Sequence, residues 1–533
     1  MVSRPLRGVL ASVTVAAVSL ASAWVAVAVA PTPEVTVDGT TATFDESDLR
    51  RALADLDADH LVAGAARIDL RPRPEEFGGT WRTEGCATFG TDAGAQTVTH
   101  ALNVDQSRWP EAPDCLYMGG YGIGPMNPIT GWDDEAGLHV RAVAFGDGDE
   151  TVVLVLLDAI YYLGRYGQMC DGCGALDIGE RVGADLGIDP AGVFVAATHS
   201  HTSPDLIGGW GGVPDWYLRQ VSTSIEAAIH QAIRDARPAV LEVGEVFARE
   251  FNRERRGTYR SAEDPGLTWL RALAVEDEPA RGANRRRPPQ PPEVIATVAA
   301  YAAHPVTRDA GSGVAHGDWP AVFAADIEAR DGGVAMVLAT GLGNLSPRHL
   351  DEHGGADLAA RLPALGQGQV LTDTDIEVAA HRWTHPVTNP ALTALALPGF
   401  FDRPFDAGPA TVDVGTHEAN RCRSTSPVGV TTQVNAAAIG PLVITGAPGE
   451  TFSNLSNTIR EQHPDGITLP LALVNDGLGY VVQSFEADDL ARTGAGFVGD
   501  PLGLEYEDAY AIDRCFGDMI LEQTIGLVAD VTG

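Results

Sequence analysis

The chain has 533 residues and a formal net charge of −36, with 72 acidic residues against 36 basic ones. Every basic residue is an arginine, so chemistry that needs a Schiff-base lysine or a phosphate-loop lysine is excluded. Binding to nucleic acid or to an anionic membrane surface requires clustered positive charge, so the acidity argues against both partners.

The first 30 residues have the pattern of an export signal. Arg4 and Arg7 give a positive start, and an apolar stretch rich in small residues follows over 9–30. A run of this length could instead remain as a membrane anchor. We therefore expect a secreted protein, or one anchored through its N-terminus. Residues 31–60 are polar and acidic, which predicts an extension before a domain that begins near Leu61.

The cysteine count also favours an oxidising compartment. An even number of cysteines in an exported chain predicts structural disulfides, whose pairing the sequence leaves open. The Cys170-x-x-Cys173 spacing would also suit a redox pair or half of a zinc site, but no second C-x-x-C completes a tetrathiolate site. The six cysteines are Cys86, Cys115, Cys170, Cys173, Cys422 and Cys515.

Apolar runs and amphipathic stretches alternate along the remaining chain. The segments 65–70, 138–145 and 151–157 predict a strand and a hairpin, and 174–187 and 215–236 predict helices. Further strands are predicted at 193–197, 241–247, 267–275, 294–303, 334–339, 442–445 and 469–474. The pattern predicts one large α/β domain over 61–533, with a mixed central sheet flanked by helices.

Five of these strands are followed directly by residues that can carry chemistry. After 193–197 come His199 and His201, which would face one site if the backbone stays extended. The others precede His304, Ser346, Glu450 and Tyr480. If the strands share a sheet, their carboxyl ends converge at one edge, where open α/β sheets bind ligands.

The residue types at these strand ends suit a catalytic zinc site. Histidine and carboxylate are its usual ligands, and His199, His304 and Glu450 would supply two imidazoles and one carboxylate. Bound zinc polarises a carbonyl and lowers the pKa of water to about 7. His201 could shuttle protons, and Ser346 could be a nucleophile or an oxyanion donor, although it is not in a G-x-S-x-G motif.

Taken together and in this order, the motifs resemble those of the neutral ceramidases, the neutral/alkaline non-lysosomal ceramidase family. Thr198-His-Ser-His-Thr-Ser-Pro204 is similar to the family's T-H-T-H-S-G-P, although it lacks the glycine. The other similar motifs are Ala303-His304-Pro305, Gly343-Asn-Leu-Ser-Pro347, Pro448-Gly449-Glu450 and Gly479-Tyr480. The resemblance covers Leu61 to the C-terminus, where the chain ends without room for the family's C-terminal β-sandwich.

The resemblance implies a role for each matching residue. Zinc ligands would be His199, His304, Glu450 and Tyr480, with Tyr480 also counted among the catalytic residues. His201 would contact the substrate beside the reacting carbonyl, and Ser346 corresponds to the proposed nucleophile. Arg253 falls at the family's N-R-S-P loop, although Glu254 follows it here, and would bind substrate or stabilise the oxyanion. Tyr506 would match a second tyrosine that contacts the amide.

The function implied is a secreted, Zn²⁺-dependent amidohydrolase that cleaves an N-acyl linkage, as in N-acylsphingosine to sphingosine and fatty acid. The partner would be a small amide or lipid substrate, with a membrane only as its source or through an uncleaved anchor. Two alternatives remain open. One is a metal-independent serine esterase that uses Ser346, His201 and an acidic partner, and the other is a non-catalytic extracellular binding protein.

Overall fold

The computed structural model describes most of the chain after residue 60. The described residues are 61–86, 88, 114–121, 124–167, 169–257, 262–275, 292–351, 353–396, 402–416, 420–488 and 506–533. The predicted export signal at 1–30 and the extension at 31–60 lie outside them. All described residues belong to one unit, Phe44–Gly533.

The predicted strands and helices are present, with ends shifted by a few residues. The helices are α1 (Pro74–Phe77), α2 (Ala175–Leu186), α3 (Asp215–Arg234), α4 (Asp318–Asp331), α5 (Gly354–Ala359), α6 (Pro390–Ala396), α7 (Ser453–Glu461) and α8 (Phe516–Thr532). The strands are β1 (Val62–Asp69), β2 (Gly131–Trp132), β3 (His139–Gly146), β4 (Thr151–Leu157), β5 (Val193–Ala197), β6 (Arg237–Phe247), β7 (Asn252–Glu254), β8 (Gly266–Ala274), β9 (Val294–Tyr301), β10 (Val314–Ala315), β11 (Val334–Ala339), β12 (Leu345–Pro347), β13 (Gln369–Val370), β14 (Ile376–Pro386), β15 (Asp406–Gly415), β16 (Arg421–Ile439), β17 (Leu442–Gly446), β18 (Glu450–Thr451), β19 (Ile467–Leu471) and β20 (Tyr480–Val481).

A nine-stranded mixed sheet forms the larger half of the core. Its order is β11-β9-β8-β6-β1-β3-β4-β5, with β13 paired to β6. The two outer pairs, β4–β5 and β9–β11, are parallel, and the strands between them are antiparallel. Each parallel pair is joined by a helical crossover, α2 or α4, as parallel connections require. The predicted α/β class with a mixed sheet is confirmed.

A second, five-stranded sheet contains the strands that precede Glu450 and Tyr480. Its order is β14-β16-β17-β19, with β15 paired to β16. The condition that all five functional strands share one sheet is therefore not met. Of these five strands, β5, β9 and β11 lie in the first sheet. The other two lie in the second sheet, because β17 pairs with β16 and β19 pairs with β17.

The two sheets face each other, and helices cover their outer surfaces. On β5, Phe194 and Ala196 pack toward the second sheet, whereas Val193 and Val195 pack toward α2 and α3. Helices α4 and α5 cover the β8–β9–β11 side, and α7 and α8 cover the second sheet. Burial on both faces explains why the strand sequences are almost continuously apolar.

Asn475 joins the segment after β19 to β5, and so connects the two sheets. Its backbone N–H donates to Val195 O at 2.8 Å, its Oδ1 accepts from Val195 N at 2.8 Å, and its Nδ2 donates to Val193 O at 3.0 Å. These bonds occupy the free edge of β5 and attach the segment after β19 to it. Strand ends from separate sheets are thereby brought together.

The expected disulfides are present, and they use all six cysteines. The pairs are Cys86–Cys115, Cys170–Cys173 and Cys422–Cys515. Cys422–Cys515 links β16 to the start of α8 across 93 residues of sequence. Across the described ranges, no helix combines the length and apolar character needed to cross a bilayer.

Candidate metal centre

His199 follows β5 in a tight turn. Its φ is +67°, in the left-handed region that costs a non-glycine residue roughly 1–3 kcal/mol. The turn is held by a bond from its N–H to Ala159 O at 2.9 Å, and its Nδ1 lies 2.9 Å from Ile160 O. Because a carbonyl can only accept, Nδ1 carries a proton and Nε2 is the ring nitrogen left to bind a metal. The expectation of extended backbone at His199 is wrong, although the ring still faces the site.

His304 follows β9 and is oriented in the same way. Its backbone N–H donates to Leu345 O at 3.2 Å, and its Nδ1 lies 3.1 Å from the same carbonyl. Burial, together with the nearby charge of Arg255, lowers the pKa of His304 to about 4. The ring is therefore neutral at pH 7, and its Nε2 lone pair points into the site.

Glu450 completes a buried cluster of three groups. Its Oε2 lies 3.1 Å from His304 Nε2 and 3.3 Å from His199 Nε2, and its Oε1 accepts a hydrogen bond from the Tyr161 hydroxyl. Burial opposes ionisation of Glu450, but the imidazoles of His199 and His304 outweigh it and lower its pKa well below the usual range.

This arrangement fits a zinc ion. Two imidazole Nε2 atoms and a carboxylate oxygen face one another, which is a ligand set that catalytic zinc binds. Tetrahedral zinc with bonds of about 2.0–2.1 Å places its ligand atoms about 3.3–3.4 Å apart. The distances of 3.1 and 3.3 Å around Glu450 are close to that spacing.

Tyr480 lies at the edge of this cluster. Its Oη is 3.5 Å from His304 Nε2 and accepts a hydrogen bond from Arg255 Nη2 at 3.1 Å. Burial, followed by the charge of Glu450, raises the pKa of Tyr480 well above its usual value, whereas Arg255 opposes this. A cation beside the phenol oxygen would favour its deprotonated form, so Tyr480 is placed to serve as a further ligand.

His201 lies on the other side of His199. Its Nε2 is 3.4 Å from His199 Nε2. His199, His201 and His304 each offer one ring nitrogen, and these three atoms lie within 4.8 Å of one another. Burial, followed by the neighbouring His199 and His304, lowers the pKa of His201 well below its usual value. Unlike the other two rings, His201 has a buried Nδ1 without a hydrogen-bond partner. No hydrogen bond at Nδ1 therefore fixes the orientation of the His201 ring.

The arginine at this site is Arg255, which the sequence analysis missed. Arg253, the predicted residue, has an exposed side chain on β7. Arg255 donates from Nε to Glu507 Oε1 at 2.8 Å and from Nη2 to Tyr480 Oη, and its guanidinium lies 5.2 Å from the Tyr506 ring centre. Both arginines lie within the run Asn252-Arg-Glu-Arg-Arg256, where the sequence offers no signal that distinguishes one from the other.

Ser346 and Tyr506 lie around this centre. Ser346 is half-buried on β12, where it pairs with Arg253, and it follows Leu345, whose carbonyl orients His304. Tyr506 is 40% exposed, and its hydroxyl lies 3.5 Å from Tyr480 Oη.

Tyr161, the donor to Glu450, is a further residue that the sequence analysis missed, because no motif accompanies it.

Comparison with known proteins identifies solved structures that share this fold. No protein-family model and no curated protein sequence matches the chain. The solved neutral ceramidase from Pseudomonas aeruginosa is similar over 89% of this chain and 74% of its own, with a TM-score of 0.59 and 14% identity. A structure of a ceramidase complexed with C2 is similar over 89% and 75%, with a TM-score of 0.56 and 15% identity. The chain therefore has a neutral ceramidase-like α/β fold, as the sequence motifs predicted.

Proposed function

We propose that the protein is a zinc-dependent amidohydrolase that cleaves an N-acyl linkage in a ceramide-like substrate. The proposal rests on the contacts of one carboxylate oxygen. Glu450 Oε2 lies 3.1 Å from His304 Nε2 and 3.3 Å from His199 Nε2. The fold shared with two ceramidase structures supports the amide and lipid character of the substrate.

The zinc would be held by His199, His304 and Glu450, with Tyr480 as the additional ligand. When bound, zinc supplies a Lewis acid that polarises a carbonyl oxygen and acidifies a water molecule. The protein's contribution is to turn the two imidazoles so that each Nε2 faces the site. The carbonyls of Ile160 and Leu345 do this by accepting the Nδ1 protons.

Acid–base chemistry is assigned to His201. Its ring is neutral at pH 7, partly buried and adjacent to His199, so it can accept a proton from an attacking group and pass it to the leaving amine. We assign stabilisation of the developing oxyanion to Arg255 rather than Arg253, because Arg255 places its positive charge between Tyr480 and Tyr506. Tyr506 is exposed enough to contact the substrate amide.

Ser346 would act near the acyl group as a hydrogen-bond donor. The esterase alternative requires a serine–histidine pair, but His201 Nδ1 has no hydrogen-bond partner and its Nε2 faces His199. Among the described residues, Ser346 and His201 therefore form no such pair. The metal-dependent reaction is the function that this geometry favours.

We further propose that the protein is exported. Three disulfides need an oxidising compartment. Residues 1–30 would direct export as a cleaved signal or as an anchor, and the membrane would serve at most as the source of a lipid substrate.

The test combines metal analysis of the purified protein with hydrolysis of N-acylsphingosines and matched esters. We expect about one zinc per chain and amide hydrolysis that a chelator abolishes and added zinc restores. Full activity after chelation, together with an inactive Ser346→Ala variant, would establish the serine esterase instead. Bound zinc without turnover of any amide or ester would establish a binding protein.

A further inference from the structure

The two oxygens of Glu450 have different partners. Oε2 faces the imidazoles of His199 and His304, whereas Oε1 accepts a hydrogen bond from the Tyr161 hydroxyl. Tyr161 lies in the segment that follows β4, and its side chain is buried. One carboxylate oxygen is therefore occupied by a phenol.

The ring of Tyr161 is fixed on several sides. It lies edge-on to His199, with ring centres 5.0 Å apart, and it stacks on Trp210 at 6.4 Å. A Cβ atom added at Gly477 would come within 2.8 Å of the Tyr161 side chain, so a glycine is needed there for the ring to fit. The phenol position is thus set by packing as well as by its hydrogen bond.

The residue before Tyr161 orients a second ligand. The carbonyl of Ile160 faces His199 Nδ1 at 2.9 Å, and the hydroxyl of Tyr161 donates to Glu450. Two consecutive residues therefore determine the direction of two candidate ligands that are 251 positions apart in sequence (450 − 199). Outer partners of this kind fix how a ligand is presented to the metal.

We propose that Tyr161 is a positioning residue that makes Glu450 bind the metal through Oε2 alone. A carboxylate with both oxygens free can bind through both, which raises the coordination number. With Oε1 held by the phenol, only Oε2 is available, and a position remains open for the substrate. The inference rests on the metal site of the proposed function but not on the identity of the substrate.

The test compares Tyr161→Phe with Tyr162→Phe. Tyr162 is the matched control because it is also buried, but its hydroxyl donates to Cys173 O, away from the centre. Zinc affinity is measured by competition with a chromophoric chelator, and the coordination number is followed through the visible absorption of bound Co²⁺. We expect Tyr161→Phe to weaken zinc binding about 10–100-fold and to weaken the Co²⁺ band, since that band loses intensity as ligands are added. Tyr162→Phe should leave both unchanged.

Unchanged zinc affinity and an unchanged Co²⁺ spectrum in a folded Tyr161→Phe protein would overturn the proposal. If that variant does not fold, Gly477→Ala, which displaces the ring, should produce the same two changes, and their absence would equally overturn it. A wild-type protein that binds neither zinc nor Co²⁺ would overturn the metal site and the role of Tyr161 together. A wild-type protein that binds zinc but cleaves no N-acyl amide would reject the substrate alone, and the predicted difference between the two tyrosine variants would still support this role.

Discussion

Glu450 lies directly opposite Tyr480 in the parallel pairing of β18 with β20, and its N–H donates to Gly479 O at 2.9 Å. This pairing therefore holds Glu450 and Tyr480 side by side, although the two candidate ligands follow different strands of the second sheet. This short ribbon lies beside the ends of β5 and β9, which supply the histidines. The metal centre is thus a junction between the two sheets rather than a feature of either one.

Replacing Glu450 by Gln should remove the anionic ligand while preserving its shape. We expect zinc affinity to fall by more than about 100-fold, beyond the 10–100-fold that outer partners typically contribute. Chelator competition measures the change. Glu486→Gln is the matched control, because Glu486 is also buried but bonds to Asn454 instead of an imidazole. Equal zinc affinity in Glu450→Gln and the wild type would contradict the assignment.

Ser346→Ala separates a donor role from a nucleophilic one. Because His201, in the part of the chain that the structure describes, is not paired with Ser346, we expect Ser346 to donate a hydrogen bond, and its loss should lower kcat by about 10²-fold, as for one oxyanion donor. The measurement is steady-state hydrolysis of an N-acylsphingosine together with rapid-quench kinetics. A complete loss of turnover, with a burst of acyl-enzyme in the wild type, would identify Ser346 as the nucleophile.

Arg255→Gln and Arg253→Gln form a second matched pair. The charge of Arg255 lies against Tyr480, so we expect its removal to lower kcat by about 10²–10³-fold. Arg253→Gln, on the exposed face of the β7–β12 ribbon, should have a much smaller effect. Arg255 also pairs with the buried Glu507, so the thermal midpoint must be measured alongside the rate. A larger loss of kcat in the Arg253 variant would reverse our assignment.

The buried carboxyl of Glu486 should contribute stability that is lost as the pH rises through weakly acidic values. Burial raises the pKa of Glu486 to about 7, and its Oε2 is buried without a hydrogen-bond partner. In the unfolded chain a glutamate titrates near about 4.3. Between these two values the folded state keeps a proton on Glu486 that the unfolded state loses, so the contribution of this group to the free energy of unfolding decreases with pH, by at most about 1.4 kcal/mol per pH unit.

Glu486→Gln should remove this contribution, so the slope of the free energy of unfolding against pH, measured in urea from pH 5 to pH 7, should be more positive in the variant than in the wild type. Burial also raises the pKa of Asp508 to about 7, so a contribution of the same sign as that of Glu486 should persist in the variant. An unchanged slope would show that Glu486 is already ionised in the folded protein at pH 5.

Much of the fold could be read from the sequence, because strands buried on both faces must be apolar at nearly every position. The run Val193–Ala197 and the other apolar runs were located on this basis alone. The polar residues that follow such runs mark strand ends, which is how His199, His304, Glu450 and Tyr480 were selected before their positions were known.

Only the tertiary structure decided how these residues meet. Apolar periodicity reports whether a strand is buried but not which sheet it joins, so the division into two sheets was not predicted. The direction of a side chain depends on local turns and on packing between distant segments. For this reason the left-handed turn at His199, the choice of Arg255 over Arg253, and the bond from Tyr161 to Glu450 could be found only in three dimensions.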